Sequence, residues 1–342
     1  MNELDRAVGA AVRAAGPYAS AVTVAVTLGG EEDIRCHGRA ERRPGAPPCT
    51  PDTVFELGSV TKTFTALLLA DMAARGELAL DEPVENRLPR NWRPVHVRST
   101  EPIRLVHLAT HTSGLPRLPP GLLASAVPAW FSNPYAAYGD ERLRAALART
   151  TVRDRPGTRF GYSNYGVALL GRSLAETAGL PYEQLLTERV CRPLGLHSTG
   201  CAPDSPGRAT GYRRGRALPP WLIPGLPGAG AIRASGADLM RYLRFHLNGE
   251  EGELGAAVRD VQRLRLRLPR STDRIGLVWM HRRSGGRDLY FHSGGTRGFT
   301  AFVGFSPEGA AAVAALANTG PALNGRFVQA GYEVLRAVSR AG

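Results

Sequence analysis

Phe55-Glu56-Leu57-Gly58-Ser59-Val60-Thr61-Lys62-Thr63-Phe64-Thr65-Ala66-Leu67-Leu68-Leu69-Ala70-Asp71-Met72 is the stretch that decides the fold. Residues 59–75 are apolar almost all round (Val60, Phe64, Leu67, Leu68, Leu69, Met72), which predicts a buried helix rather than an amphipathic surface one. Gly76 stands where a glycine commonly closes a helix. A helix of this kind has to be enclosed by other elements. Upstream, residues 2–15 read as a short amphipathic helix. Ala21-Val22-Thr23-Val24-Ala25-Val26-Thr27-Leu28 reads as a strand ending in a Gly29-Gly30 turn, with a second strand near Ile34–Arg39.

From about residue 80 to 260 the strand signal disappears. Helical patterns at 140–149, 165–178, 181–190 and 237–248 are separated by loops rich in proline and glycine. Two loops, 115–139 and 203–230, are long enough to carry function; the first holds Trp130, Phe131, Tyr135 and Tyr138, the second Tyr212 and Trp221. Strand patterns return at Ile275–His281, Asp288–His292, Phe299–Phe305 and Ala311–Leu316, joined by short turns as in an antiparallel meander. A helix over about 321–339 ends the chain. The simplest assembly is α/β (α+β). An antiparallel sheet flanked by the N- and C-terminal helices is built from residues 1–78 and 262–342, and a mostly helical domain, 79–261, is inserted between. The active site is expected in the cleft between the two.

The 342 residues carry 43 basic and 30 acidic side chains, a formal charge of +13, and of the basic residues 42 are arginine and one, Lys62, is lysine. The arginines are spread from Arg6 to Arg340 and mixed with acids, and Arg263-Leu264-Arg265-Leu266-Arg267-Leu268 alternates as a half-buried strand with a solvated face does. A solvated basic surface, with no nucleic-acid partner, is the expectation. The longest apolar runs fall short of a membrane span, so no membrane partner is expected. Met1-Asn2-Glu3-Leu4-Asp5 is acidic where a signal peptide is basic, which points to the cytoplasm. Cys36, Cys49, Cys191 and Cys201 fit no zinc spacing and read as reduced thiols. No cofactor or metal is expected.

None of the 16 serines sits in a G-x-S-x-G elbow. Ser59-Val60-Thr61-Lys62 is instead an S-x-x-K tetrad at the start of the buried helix. Residues three apart share a helix face, so the Lys62 amine can reach the Ser59 hydroxyl. Burial and the positive end of the helix dipole both lower the affinity of that amine for a proton. Arginine cannot serve, because its guanidinium does not deprotonate. A lone lysine falls three residues after one of 16 serines in roughly one placement in twenty, so the tetrad needs support. Tyr162-Ser163-Asn164, in a turn leading into a helix, supplies a phenol that can relay a proton and an amide that can hold a substrate carbonyl. Phe291-His292-Ser293-Gly294-Gly295-Thr296, at a strand end, offers backbone that a ligand can approach and N–H groups that can bind an oxyanion.

These three elements, in this order, resemble the serine β-lactamase and penicillin-binding-protein-like family, closest to its class C branch with esterases and D-aminopeptidases. Phe55–Ser59, Leu108-Ala109-Thr110-His111-Thr112-Ser113-Gly114-Leu115 and Gly228–Ser235 look like family patterns too, so the resemblance covers nearly the whole chain. It implies a β-lactamase/transpeptidase-like fold, Ser59 as acylated nucleophile, Lys62 as proton acceptor and Tyr162 sharing the acid–base work. It also implies that Asn164 orients the substrate, and that the Ser59 and Gly295 N–H groups form the oxyanion hole, with Gly294 and His292 lining the substrate site. His292 departs from the lysine of a Lys-Thr-Gly triad. A mostly neutral histidine is more typical of the family's esterases, D-peptidases and peptide-cyclising thioesterases. His111 could brace the site; the remaining histidines read as structural. The expected partner is a small-molecule or peptide-like acyl substrate. Three readings stay open: a hydrolase cleaving an ester or amide, a transacylase or peptide cyclase passing the acyl group to an amine or alcohol, and a non-catalytic sensor or scaffold.

Overall fold

The computed structural model describes residues 3–92, 95–129, 131–249 and 254–341. At its centre is a sheet in the order Glu31–Gly38, Ala21–Leu28, Ala311–Ala317, Thr300–Ser306, Arg287–Gly295, Met280–Ser284, Arg274–Ile275, Leu266–Arg267. Every pairing in it is antiparallel. The two ends of the chain meet inside the sheet, where Val24 faces Ala315 and Val26 faces Val313. These two strands are buried along nearly their whole length. A strand buried on both faces needs a layer on each side.

The pleat sorts the residues between those layers. Val22, Val24 and Val26 join Phe302, Val313 and Ala315 against Val8 and Ala11 of helix Glu3–Ala15, and against Leu335 and Val338 of helix Arg326–Ala341. Ala25, Val303, Phe305 and Ala314 face the other way, toward Phe64 and Leu67 of helix Thr61–Ala74 and Leu239 and Tyr242 of helix Gly236–Asn248. The C-terminal helix lies so close that a Cβ on Gly331 would come 2.8 Å from the Phe302 ring.

The helix expected to be buried is buried. A single 3-10 turn, Gly58–Val60, leads into Thr61–Ala74, and every residue from Thr61 to Met72 is enclosed. Phe64 stacks on Tyr242 with ring centroids 4.0 Å apart. Truncating any one of Leu67, Leu68 or Leu69 to alanine here costs about 2–5 kcal/mol, the range for fully buried leucines. The buried Asp71 carboxylate near the helix end is met by Arg75 at 2.9 Å and Arg189 at 3.7 Å. Gly76, just beyond, takes the left-handed φ of +72°.

The middle of the chain is mainly helical, including Asp140–Arg149, Asn164–Ala178 and Tyr182–Leu186. It is not free of strands, as the sequence suggested. Val54–Glu56 pairs with Arg233–Ser235, His96–Val97 with Thr151–Val152, and Tyr212–Arg213 with Arg216–Ala217. Runs of two or three residues leave no readable alternation.

Other boundaries differ for physical reasons. The strand expected over 275–281 is broken at Gly276–Trp279. There Val278, at φ +65°, turns inward and donates its N–H to Ala109 O at 2.8 Å. Positive φ in a β-branched residue is rare and held only by its surroundings. The 263–268 alternation yields ladder pairing only at Leu266–Arg267, while Arg265 folds back onto Asp260 at 2.7 Å. The last helix begins at Arg326 rather than near 321, and residues 319–323 ahead of it line the cleft described below.

Candidate active site

Gly58, at φ +51°, makes the turn that places Ser59 at the mouth of the buried helix; a Cβ there would lie 2.6–2.7 Å from the Gly295 backbone. Lys62, one turn on, is fully buried. Its Nζ donates to Ser59 Oγ at 2.9 Å and to Ala229 O at 2.6 Å. Burial pushes the lysine below its usual range, the Arg117 guanidinium adds to that, and the charge and hydrogen bond of Tyr162 oppose it. An amine that loses its proton more easily and already touches a hydroxyl is a ready acceptor for that hydroxyl's proton.

Tyr162 and Asn164 flank a helix cap. Ser163 is buried; its Oγ accepts from Gly166 N at 2.8 Å, donates to Pro116 O at 2.7 Å and caps helix Asn164–Ala178. With the cap turned inward, its two neighbours face the cleft. The Tyr162 ring lies 5.4 Å from Lys62 Nζ, and the Arg117 guanidinium sits 5.1 Å from the same ring. Asn164 stands beside the Tyr135 hydroxyl, and its Oδ1 is buried without a partner. A bare carboxamide oxygen in a cleft is an acceptor waiting for a donor.

The third element closes the other side. Strand Arg287–Gly295 brings its last residues against the nucleophile turn. A Cβ on Gly294 would meet Leu57 O at 2.0 Å, Val60 N at 2.8 Å and Ser59 N at 2.9 Å. Only glycine permits that approach, which sets the Gly295 backbone beside that of Ser59. His292 is buried, and its Nδ1–H donates to Ser293 O at 2.9 Å. Burial first, and the Lys62 charge second, lower it to about 3, so it is a neutral ring at physiological pH.

The site residues singled out in the sequence converge. Ser59, Tyr162, Asn164, His292, Gly294 and Gly295 line one cleft of about 1190 Å³, and Lys62 stands behind Ser59. Of the aromatic residues in the two long loops, Tyr135 and Trp221 form a wall, their rings 5.3 Å apart. Tyr138 turns away to donate to Pro120 O and Arg142 O, and Trp130 lies outside the described residues. Among the described residues no three His, Cys, Asp or Glu side chains gather as a metal site, and no helix is long and apolar enough to cross a membrane.

Two supports stand behind these residues, and the sequence offered only the first as a possible brace. His111, at φ +56°, accepts the Ser163 N–H on Nδ1 at 3.2 Å and packs its ring 4.5 Å from Tyr162. Burial, and then Lys62, hold it well below the normal histidine range, so it braces Tyr162 as a neutral ring. Glu56 is the second. It accepts from Trp221 N at 2.7 Å and from Thr296 Oγ1 at 2.8 Å, and faces the buried Arg233 at 3.8 Å. One carboxylate thus ties the nucleophile turn, the 203–230 loop and the strand after His292 together. Glu56 stood in a stretch that resembled the family, but nothing local pointed to its partners.

The Beta-lactamase family profile matches residues 8–337. The chain belongs to the Beta-lactamase family. With the family comes the activity class, that of a beta-lactamase-like serine hydrolase. The D-alanyl-D-alanine-carboxypeptidase/endopeptidase AmpH of Escherichia coli strain K12 is 29% identical over 312 residues, covering 86% of this chain and 78% of its own length. Esterase EstB of Burkholderia gladioli is 35% identical over 199 residues, 54% of this chain and 48% of its own. In fold, the beta-lactamase/D-alanine carboxypeptidase of Yersinia pestis superposes with a TM-score of 0.84 at 22% identity, across 98% of this chain and 97% of its own.

Proposed function

We propose that this beta-lactamase-like enzyme cleaves an ester or amide through an acyl-enzyme on Ser59. The observation that carries the reading is the fully buried Lys62 amine bonded to Ser59 Oγ at 2.9 Å. Unprotonated Lys62 takes the Ser59 proton as Oγ attacks the acyl carbon. The Ser59 and Gly295 N–H groups receive the negative charge on the carbonyl oxygen. The bond to the leaving group then breaks, and Tyr162, in contact with Lys62, passes the proton to the departing oxygen or nitrogen. Water repeats the sequence on the ester, releasing the acid and freeing Ser59. Asn164 holds the acyl part, the portion that stays on the enzyme, with its carboxamide, the NH2 group facing an acyl carbonyl and the bare Oδ1 open to an N–H donor on it. The site lies between the sheet unit, residues 1–78 and 262–342, and the helical unit, 79–261. Neutral His292 supplies no cation at the position where a Lys-Thr-Gly triad carries its lysine, which favours an ester or D-peptide over a cephalosporin.

The test is a panel of p-nitrophenyl esters, D-aminoacyl amides and a chromogenic cephalosporin, run on wild type and Ser59→Ala. The expected result is a burst of nitrophenol, an acyl adduct on Ser59 by mass spectrometry, weak cephalosporin turnover, and no burst in the variant. Labelling of Ser59→Ala by a fluorophosphonate probe would refute the assignment of the nucleophile.

A further inference from the structure

The cleft is charged in a way its chemistry does not require. Five arginines line it, Arg117, Arg213, Arg214, Arg297 and Arg326, and among the described lining residues there is no aspartate or glutamate. Three of the five gather at one place. Arg117 stacks over Tyr162, and both Arg117 and Arg297 act electrostatically on the Tyr135 phenol. Arg213 acts on Arg297 and is itself held by donating to Phe131 O at 3.2 Å while lying 5.5 Å from the Phe131 ring. Tyr135 stands beside Asn164. Like charges collected in a recess repel one another, and burial together with Arg213 lowers the proton affinity of Arg297. A recess that collects this much positive charge attracts an anion, and paired N–H forks match a carboxylate.

We propose that the acyl part of the substrate carries its own carboxylate, bound by Arg117, Arg213 and Arg297 around Tyr135 on the Asn164 side of the nucleophile. The substrate class is then a half-ester or half-amide of a dicarboxylic acid, or an acyl group with an acidic side chain. The proposal rests on the acyl-enzyme reading above, in which Asn164 holds the portion that stays on Ser59. It places the charge on that portion and not on the leaving group.

The experiment compares three esters on the full chain: mono-p-nitrophenyl glutarate, its neutral counterpart p-nitrophenyl valerate, and a valerate ester whose nitrophenol leaving group bears the carboxylate. The glutarate ester is expected to show a kcat/KM about tenfold or more above valerate, and above the ester charged on its leaving group. That ratio should collapse toward one in Arg117→Gln, Arg213→Gln and Arg297→Gln, and should shrink as salt rises from about 0.05 to 0.5 M. A ratio near one in wild type, a ratio untouched by all three substitutions, or a larger gain from the charged leaving group would overturn the proposal. Binding separates this failure from failure of the catalytic reading. Calorimetric titration of Ser59→Ala with glutaramate and with pentanamide needs no turnover. Tighter binding of glutaramate, lost in the Ser59→Ala, Arg213→Gln double variant, supports the anion site even if no ester gives a burst; equal binding of the two refutes it even if every ester does.

Discussion

Replacing Lys62 by methionine removes one amine while nearly keeping the volume of a side chain that is fully enclosed. Two acceptors lose their donor, Ser59 Oγ at 2.9 Å and Ala229 O at 2.6 Å. The base that would take the Ser59 proton is gone, and general-base assistance is worth about 10²- to 10⁴-fold, or roughly 3–5 kcal/mol of barrier. Lys62→Arg is expected to fall as far, since a guanidinium keeps its proton and is larger than the enclosed space was built for. In wild type, kcat/KM should rise with pH as Lys62 loses its proton, below the 10.5 of a free lysine. Stability carries the same signature. The folded state gives up the Lys62 proton at a lower pH than the unfolded state does, so between the two values the unfolded chain binds more protons and wild-type stability rises with pH. Lys62→Met lacks that contribution, and the stability difference between the two proteins should therefore change with pH across the window. Stopped-flow ester hydrolysis and denaturant titrations over a pH series measure both. A loss smaller than tenfold, or a stability difference that stays flat with pH, would refute the role given to the buried amine.

Three further expectations follow from the packing. Gly294→Ala would drive a methyl group to within 2.0 Å of Leu57 O and 2.9 Å of Ser59 N. It should cut ester turnover by about a hundredfold or more, as removal of an oxyanion donor does, with circular dichroism showing whether the fold persists. Glu56→Ala strands the buried Arg233 and unpairs Trp221 N and Thr296 Oγ1. A drop of about 3–5 kcal/mol in urea denaturation is expected, and a change below about 1 kcal/mol would sink the idea that this carboxylate ties the segments together. His246 is packed among Tyr242, Trp279 and Phe305, and burial lowers it to about 3; His292 is lowered to about 3 as well. Both contribute stability that is whole above the normal histidine value and is lost as pH falls toward 3, each adding up to about 1.4 kcal/mol per pH unit. His246→Phe should flatten that decline, and an unchanged slope would count against a neutral buried ring.

What the sequence determined by itself was local. Three-residue spacing puts Ser59 and Lys62 on one helix face, and a helix apolar on all sides announces its own burial; both hold whatever surrounds them. The strand at 21–28 was legible as a β-branched run ended by Gly29-Gly30, and that at 311–316 as an apolar run closing a meander. Tertiary structure decided what joins residues far apart in the chain. Ala229, which takes the second Lys62 hydrogen bond, is 167 residues away, and Thr296, on Glu56, is 240 away. The inward turn at Val278 depends on Ala109 O, which lies 169 residues earlier in the chain. Composition flagged 42 arginines and read their charge as a solvated surface. Folding brings Arg117 and Arg297 to Tyr135 and Arg213 to Arg297, because loops placed independently along the chain converge on one cleft, and no pattern within a single loop records where the others will lie.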